Sequence, residues 1–216
     1  MRDQMIRLWA RLTKAKTPDN DFVGYDVLIA FIKKRGLHHK LRGDLIEIGA
    51  FMGGGTAKLA RFARKYHKNV YCVDVFDPCC DQTQDINGVR MCDIYQVLLG
   101  GRPQMEVYQE TIRGLNNVIT IKEDSKKVNF SREQKFIFGF IDGNHHPTYV
   151  TNDFHLIWHN LVPSGVLGFH DYGGELPEVT KAVNGLIEKY TGEIAEAHQI
   201  KEKHVILLLK RDLQSP

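Results

Sequence analysis

The chain of 216 residues lacks most features that would tie it to a specialised environment. No apolar stretch approaches the roughly 20 residues that cross a bilayer, and the N-terminus has no uninterrupted apolar segment of signal-peptide type, so a cytoplasmic protein without a membrane partner is expected. Charge of one sign is also missing. Against 29 Lys and Arg stand 26 Asp and Glu, and a formal +3 is too little to steer the chain toward nucleic acid. Basic residues do gather between Lys33 and Arg42, but without interleaved aromatic side chains for base stacking they read as a solvated face. The cysteines, Cys72, Cys79, Cys80 and Cys92, are too few for a disulfide scaffold and lack the Cys-x-x-Cys pairing of a structural zinc site, so reduced thiols are expected. Internal repeats and low-complexity segments are absent. What remains is an ordinary globular composition, 43% hydrophobic and 25% charged, able to bury a sizeable core.

The pattern along the chain divides it into a helical segment over residues 1–43 and an α/β domain over 44–216. Met5, Leu8, Trp9 and Leu12 lie at helical spacing before Pro18, and Val27, Leu28, Phe31 and Ile32 mark a second helix. From residue 44 short, nearly continuous apolar runs take over: Leu45 to Ile48, Val70 to Val75, Val118 to Ile121, Phe136 to Ile141 and Gly165 to Phe169. Such runs suit strands buried on both faces. Helical patterns separate them, Ala57 to Tyr66 and Tyr149 to Leu161, and another spans Pro177 to Tyr190. Alternating strand and helix implies a doubly wound, mainly parallel sheet. Glu193 to Ile200 and His204 to Lys210 read as a terminal hairpin. Asp77 to Asn117 is longer than a single crossover helix requires; it reads as an insertion with helices near Met91 to Leu99 and Met105 to Ile112, placed where it can cover a site.

Each of the five strand patterns carries an acid at or just past its C-terminal end: Glu47, Asp74, Asp124, Asp142 and Asp171. Ligands of open parallel sheets bind outside these ends, so the five should face one crevice. Helix capping is the alternative use of any one of them. Glu47 opens a glycine-rich turn from strand to helix, Glu47-Ile48-Gly49-Ala50-Phe51-Met52-Gly53. The spacing from Gly49 to Gly53 is not the Gly-x-Gly-x-x-Gly that seats a pyrophosphate, which disfavours a nicotinamide dinucleotide. Asp74 stands where an acid accepts hydrogen bonds from ribose hydroxyls. An adenosine-containing ligand without pyrophosphate satisfies both.

Over about residues 44 to 210 the sequence resembles the class I methyltransferases that use S-adenosylmethionine. Glu47, Gly49 and Gly53 match that family's glycine motif, Asp74 its ribose acid, and Glu123-Asp124-Ser125 the segment that often contacts adenine. Phe140-Ile141-Asp142-Gly143-Asn144-His145-His146, with Val162-Pro163-Ser164-Gly165-Val166-Leu167-Gly168-Phe169-His170-Asp171-Tyr172, resembles more closely the metal-dependent small-molecule O-methyltransferases of the macrolide and aminocoumarin sugar type. The resemblance implies a Rossmann-like sheet of seven strands ending in an antiparallel hairpin. It also implies S-adenosylmethionine as cofactor, a divalent metal, magnesium or manganese, and a small hydroxylated substrate such as a sugar or phenol.

In such chemistry a hydroxyl attacks the methyl group of a sulfonium, and a divalent ion lowers the hydroxyl's pKa and fixes its direction. The resemblance assigns the ion to Asp142 and Asp171, with His170 standing where relatives often carry a carboxylate. An imidazole there shifts preference toward manganese, iron or zinc; the other use of His170 is a single hydrogen bond in the core. His145, in the loop after Asp142, is the first choice for the base that takes the hydroxyl proton, with His146 beside it. Asn144 and Tyr172 are candidates for orienting the substrate. A metal-dependent hydrolase built on the same acids and histidines, and a non-catalytic nucleoside-binding module, are the competing readings. A homo-oligomer is compatible with the sequence but not specified by it.

Overall fold

A computed structural model of the chain describes residues 21–212. The helix expected around residues 5–12 lies outside the described residues. Helix α1 (Tyr25–Arg35) and the short α2 (Leu37–Lys40) lead into β1 (Asp44–Ile48), α3 (Gly54–Arg64) and β2 (Val70–Asp74). The insertion follows with α4 (Met91–Leu99) and α5 (Gln104–Thr111), its chain broken at Gly100, Gly101 and Pro103 as the turn residues demand. Then come β3 (Val118–Lys122), β4 (Phe136–Ile141), α6 (Pro147–Trp158), β5 (Leu161–Phe169), α7 (Pro177–Lys189), β6 (Ile194–Ile200) and β7 (Val205–Lys210).

The strands form one seven-stranded sheet in the order β3-β2-β1-β4-β5-β7-β6. β1 to β5 pair in parallel, and β7 runs antiparallel to both β5 and β6, which makes the C-terminal hairpin. Apolar side chains cover both faces. On one side α6 and α7 bring Phe154, Ile157, Trp158, Val183 and Leu186 onto the sheet. On the other α1 and α3 bring Leu28, Ile32, Leu59, Phe62 and Ala63. β4, central and buried along its whole length, is apolar at every position except Gly139, where an added Cβ would lie 2.7 Å from Ile157.

One boundary departs from the sequence pattern. Leu161, read as the end of a helix, is the first residue of β5 and pairs with Phe136, while α6 stops at Trp158. Pro163 cannot continue a helix, and Ser164 takes a left-handed φ of 61°, so the strand begins with an irregular register shift before Gly165. β3 is also only partly buried because it is an edge strand. Among the described residues no helix is long and apolar enough to cross a membrane.

Sheet order reverses between β1 and β4: chain connections from β1 run outward to β2, those from β4 outward to β5. That reversal leaves a crevice at the carboxyl ends of β1 and β4, where the glycine turn and Asp142 meet.

Candidate active site

The glycine turn closes the crevice floor. Gly49 has φ 90° and sits against the chain beyond β4, where an added Cβ would lie 2.0 Å from the Asp142 carbonyl oxygen. Only glycine fits that approach. The turn is fastened by Asp74, whose Oδ2 accepts the amides of Ala50 at 2.8 Å and Phe51 at 3.0 Å, and whose Oδ1 accepts Phe76 N at 2.6 Å. Burial raises the Asp74 carboxyl above its ordinary pKa against the pull of these amides. Beneath the turn Glu47 is 1% exposed. Tyr25 Oη of α1 donates to its Oε1 at 2.5 Å, and Thr56 Oγ1 of α3 donates to its Oε2. Burial, opposed by these two donors, lifts the Glu47 carboxyl to about 8.

A chain of carboxylates and imidazoles lines the other side. His145 is buried with Nδ1 2.6 Å from Asp81 Oδ2 and Nε2 2.8 Å from Asp171 Oδ2. His170 Nδ1 lies 3.0 Å from Asp171 Oδ2 and 3.1 Å from Asp142 Oδ1. Burial pulls the His145 pKa down, but hydrogen bonds to Asp171 and Asp81 outweigh it and lift it to about 10. For His170 the same contest is won by Asp142 and Asp171, again upward. Asp142, His170 and Asp171 each offer one ligand atom, all within 4.8 Å of one another and all half-buried. Asp171 holds a left-handed φ of 57°, an uncommon conformation for a residue with a Cβ, at the point where its carboxylate joins the cluster.

Two cavities share this rim. The smaller, about 140 Å³, is walled by Asp74, Asp124, Ser125, Tyr149 and Asp153. The larger, about 760 Å³, is walled by Glu47, Met91, His145, His170 and Asp171, with the insertion and the start of α1 at its mouth. Gly49, Phe51, Tyr95 and Asp142 belong to both walls, so the two spaces adjoin at the sheet's reversal point.

All five strand-end acids therefore gather at one rim: Asp74 and Asp124 at the smaller space, Glu47 and Asp171 at the larger, Asp142 between them. Ser125 lines the smaller cavity, and His170 is turned toward the acids and not into the core. Gly53 lies on neither wall; with φ 81° it caps α3, and an added Cβ there would lie 2.9 Å from the Tyr108 ring. His146 accepts Thr148 N at the start of α6, and Tyr172 Oη donates to Asn184 at 2.7 Å, so neither is on a cavity wall. Sequence reasoning missed Asp81, which reaches His145 across 64 residues from the insertion, and Tyr25. Nothing local marks either one: Asp81 sits among thiols, and Tyr25 reads as a core position of an amphipathic helix.

A seven-stranded sheet in this order, with a glycine turn after β1 and acids along the carboxyl ends, is the class I methyltransferase fold. Residues 46–172 match the methyltransferase domain family, and the chain belongs to that family. No curated protein sequence matches the chain. Solved structures similar to it include the O-methyltransferase NovP, at 16% identity over 85% of this chain and 78% of that one, with a TM-score of 0.64. CalS11, a TDP-rhamnose 3'-O-methyltransferase in calicheamicin biosynthesis, follows at 11% identity, 85% and 78% coverage and a TM-score of 0.57. The MycE methyltransferase from the mycinamycin pathway, solved with Mg and SAH, has 14% identity, covers 89% of this chain and 54% of its own, and gives a TM-score of 0.53. At these identities the likeness is one of fold.

Proposed function

We propose that the protein transfers the methyl group of S-adenosylmethionine to a hydroxyl of a small molecule, a sugar or phenol, with help from a divalent metal. The observation that carries this reading is the adjoining of two unlike spaces across Gly49 and Asp142, one small and walled by Asp74, Asp124 and Ser125, the other roomy and edged by Asp142, His170 and Asp171. The adenosyl group would occupy the smaller, with Asp74, Asp124 and Ser125 on its wall. Its methionine end would pass over Gly49 toward Glu47, which leaves the sulfonium methyl facing the larger cavity.

The donor set suits a divalent ion: two carboxylates and an imidazole, already drawn together with His170 Nδ1 between two carboxylate oxygens. A divalent ion held there would polarise the acceptor hydroxyl as a Lewis acid. Asp142, on both walls, orients the acceptor between cofactor and cluster. The oxygen then attacks the methyl carbon in line, the carbon–sulfur bond breaks with its electron pair on sulfur, and the hydroxyl proton leaves to a base. Both His145 nitrogens are held by carboxylates, Asp81 at Nδ1 and Asp171 at Nε2, and these keep it protonated near neutral pH, so in this reading it steadies Asp171 in the cluster and does not itself take the proton.

The test is transfer of labelled methyl from S-adenosylmethionine to a panel of neutral sugars and phenols. Label in an ether linkage, abolished by a chelator and by Asp142→Asn, is expected. Transfer indifferent to both would remove the metal from the account, and failure to bind any adenosyl sulfonium would remove the reading itself. A hydrolase on the same cluster would bind an ion with no need of a nucleoside.

A further inference from the structure

The wall of the larger cavity is mainly apolar and acidic, and among the described residues it contains no Lys or Arg. Ile94, Leu98 and Leu176 give it apolar surface. Its imidazoles, His145 and His170, are already held between carboxylates. Two acids outside that cluster also stand on the wall, Asp85 in the insertion and Glu175 in the loop after β5, on segments joined through the main chain: Ile86 N donates to Glu175 O at 3.1 Å. Asp85 Oδ1 accepts Asn87 N and Val89 N, each at 2.8 Å, which fixes its carboxylate in the turn, while Glu175 is exposed. Arg90, close to that turn in sequence, is directed instead to Asp93 and Gln82.

The helix starts on this wall do not offset the acids. At α4 the amides of Met91 and Cys92 donate to Thr83 O and Asp81 O. At α3 Gly55 lies under the Tyr25 ring, where an added Cβ would be 2.3 Å away, and Thr56 is bonded to Glu47. A phosphate or carboxylate gives up its water on entering such a space, and sites that take these anions repay the loss with Arg, Lys or free amides. Here the anion would face carboxylates, whereas a neutral group meets no such repulsion and an ammonium meets attraction. We propose that the acceptor is an uncharged or amine-bearing hydroxyl compound with an apolar body, and that Glu175 turns away acceptors bearing phosphate or carboxylate, nucleotide-linked sugars among them. This inference rests on the reading of the larger cavity as the acceptor's space.

The test uses naphthalene probes that differ in the charge at the end of a short side chain: 2-(2-naphthyl)ethanol, 2-(2-naphthyl)ethylamine and 2-naphthylacetate. Each is titrated by fluorescence into the full chain saturated with S-adenosylhomocysteine, with a chelator present so that no ion captures the carboxylate. The alcohol and the amine should bind at least about tenfold more tightly than the carboxylate. In Glu175→Lys, a change at an exposed position, the three affinities should draw together to within about threefold. Thermal unfolding checks that the variant folds, and the wild-type ratio stands as a test by itself. Carboxylate binding as tight as that of the alcohol in the wild type, a gap unmoved in Glu175→Lys, or binding of none of the probes overturns the proposal. Failure of the wild type to bind S-adenosylhomocysteine itself instead overturns the methyl-transfer reading on which it depends.

Discussion

The two adjoining cavities are held by different means. Around the smaller one the key carboxylate, Asp74, is tied to main-chain amides of Ala50, Phe51 and Phe76, and the approach of Gly49 to Asp142 is backbone against backbone. Along the larger one the contacts run from side chain to side chain, His145 to Asp171 to His170 to Asp142, and Asp81, on the smaller cavity's wall, ties the insertion to His145. An approach of main chain to main chain cannot be altered without disturbing the fold, whereas a side-chain relay can be broken one link at a time. On the proposed reading the nucleoside end is the more preorganised of the two, and the acceptor end is the place where single substitutions should change chemistry while cofactor binding survives.

Substitutions at the shared boundary should break this contrast most severely. Gly49→Ala forces a Cβ into the Asp142 carbonyl at a positive φ, and calorimetry should show S-adenosylhomocysteine affinity reduced by more than about 100-fold, with a stability loss of roughly 3 kcal/mol or more in thermal unfolding. Asp142→Asn removes a cluster carboxylate and keeps the backbone. Turnover should drop about 1,000-fold, as it should with a chelator, while S-adenosylhomocysteine affinity stays within about threefold. Asp81→Asn exchanges the carboxylate that holds His145 Nδ1 for an amide, and a loss of about 10- to 100-fold in turnover with unchanged cofactor affinity is expected. A loss in Asp81→Asn as deep as that of Asp142→Asn would make the relay act as one unit.

The smallest expected effect concerns pH. Glu47 is raised to about 8 in the fold from an ordinary 4.5, so the native state binds its proton where the unfolded chain does not. Between about pH 4.5 and 8 this residue makes the fold less stable as pH rises. His145, raised to about 10, contributes stability that is complete below its ordinary 6.5 and is lost as pH climbs toward 10. Thermal unfolding of Glu47→Gln against wild type isolates the first contribution: the melting-temperature difference should shift in favour of the variant from pH 5 to pH 8. A constant difference across that window would contradict the assignment.

Much of this was legible from residues alone. The apolar runs locate β1, β2 and β4 to within a residue, and the helix breakers at Gly100, Gly101 and Pro103 separate α4 from α5. Acids at strand ends converge because a parallel sheet places every carboxyl end on one edge. Three things were hidden. Asp81 and His145 meet only through the path of the insertion, which no periodicity encodes. Gly53 has the look of a ligand contact, yet its φ of 81° serves the entry to α3. Asp153 reads as a polar position on a helix, and only its burial against Ser125 shows it to be an interior carboxyl with an unfilled acceptor.

Manganese binding followed by electron paramagnetic resonance, with the protein saturated by S-adenosylhomocysteine, addresses directly whether one rim holds a nucleoside and an ion together. One ion per chain bound beside retained nucleoside, with Asp142→Asn losing the ion alone, is the predicted result. Mutual displacement of the two ligands, or an ion that Asp142→Asn leaves in place, would contradict it.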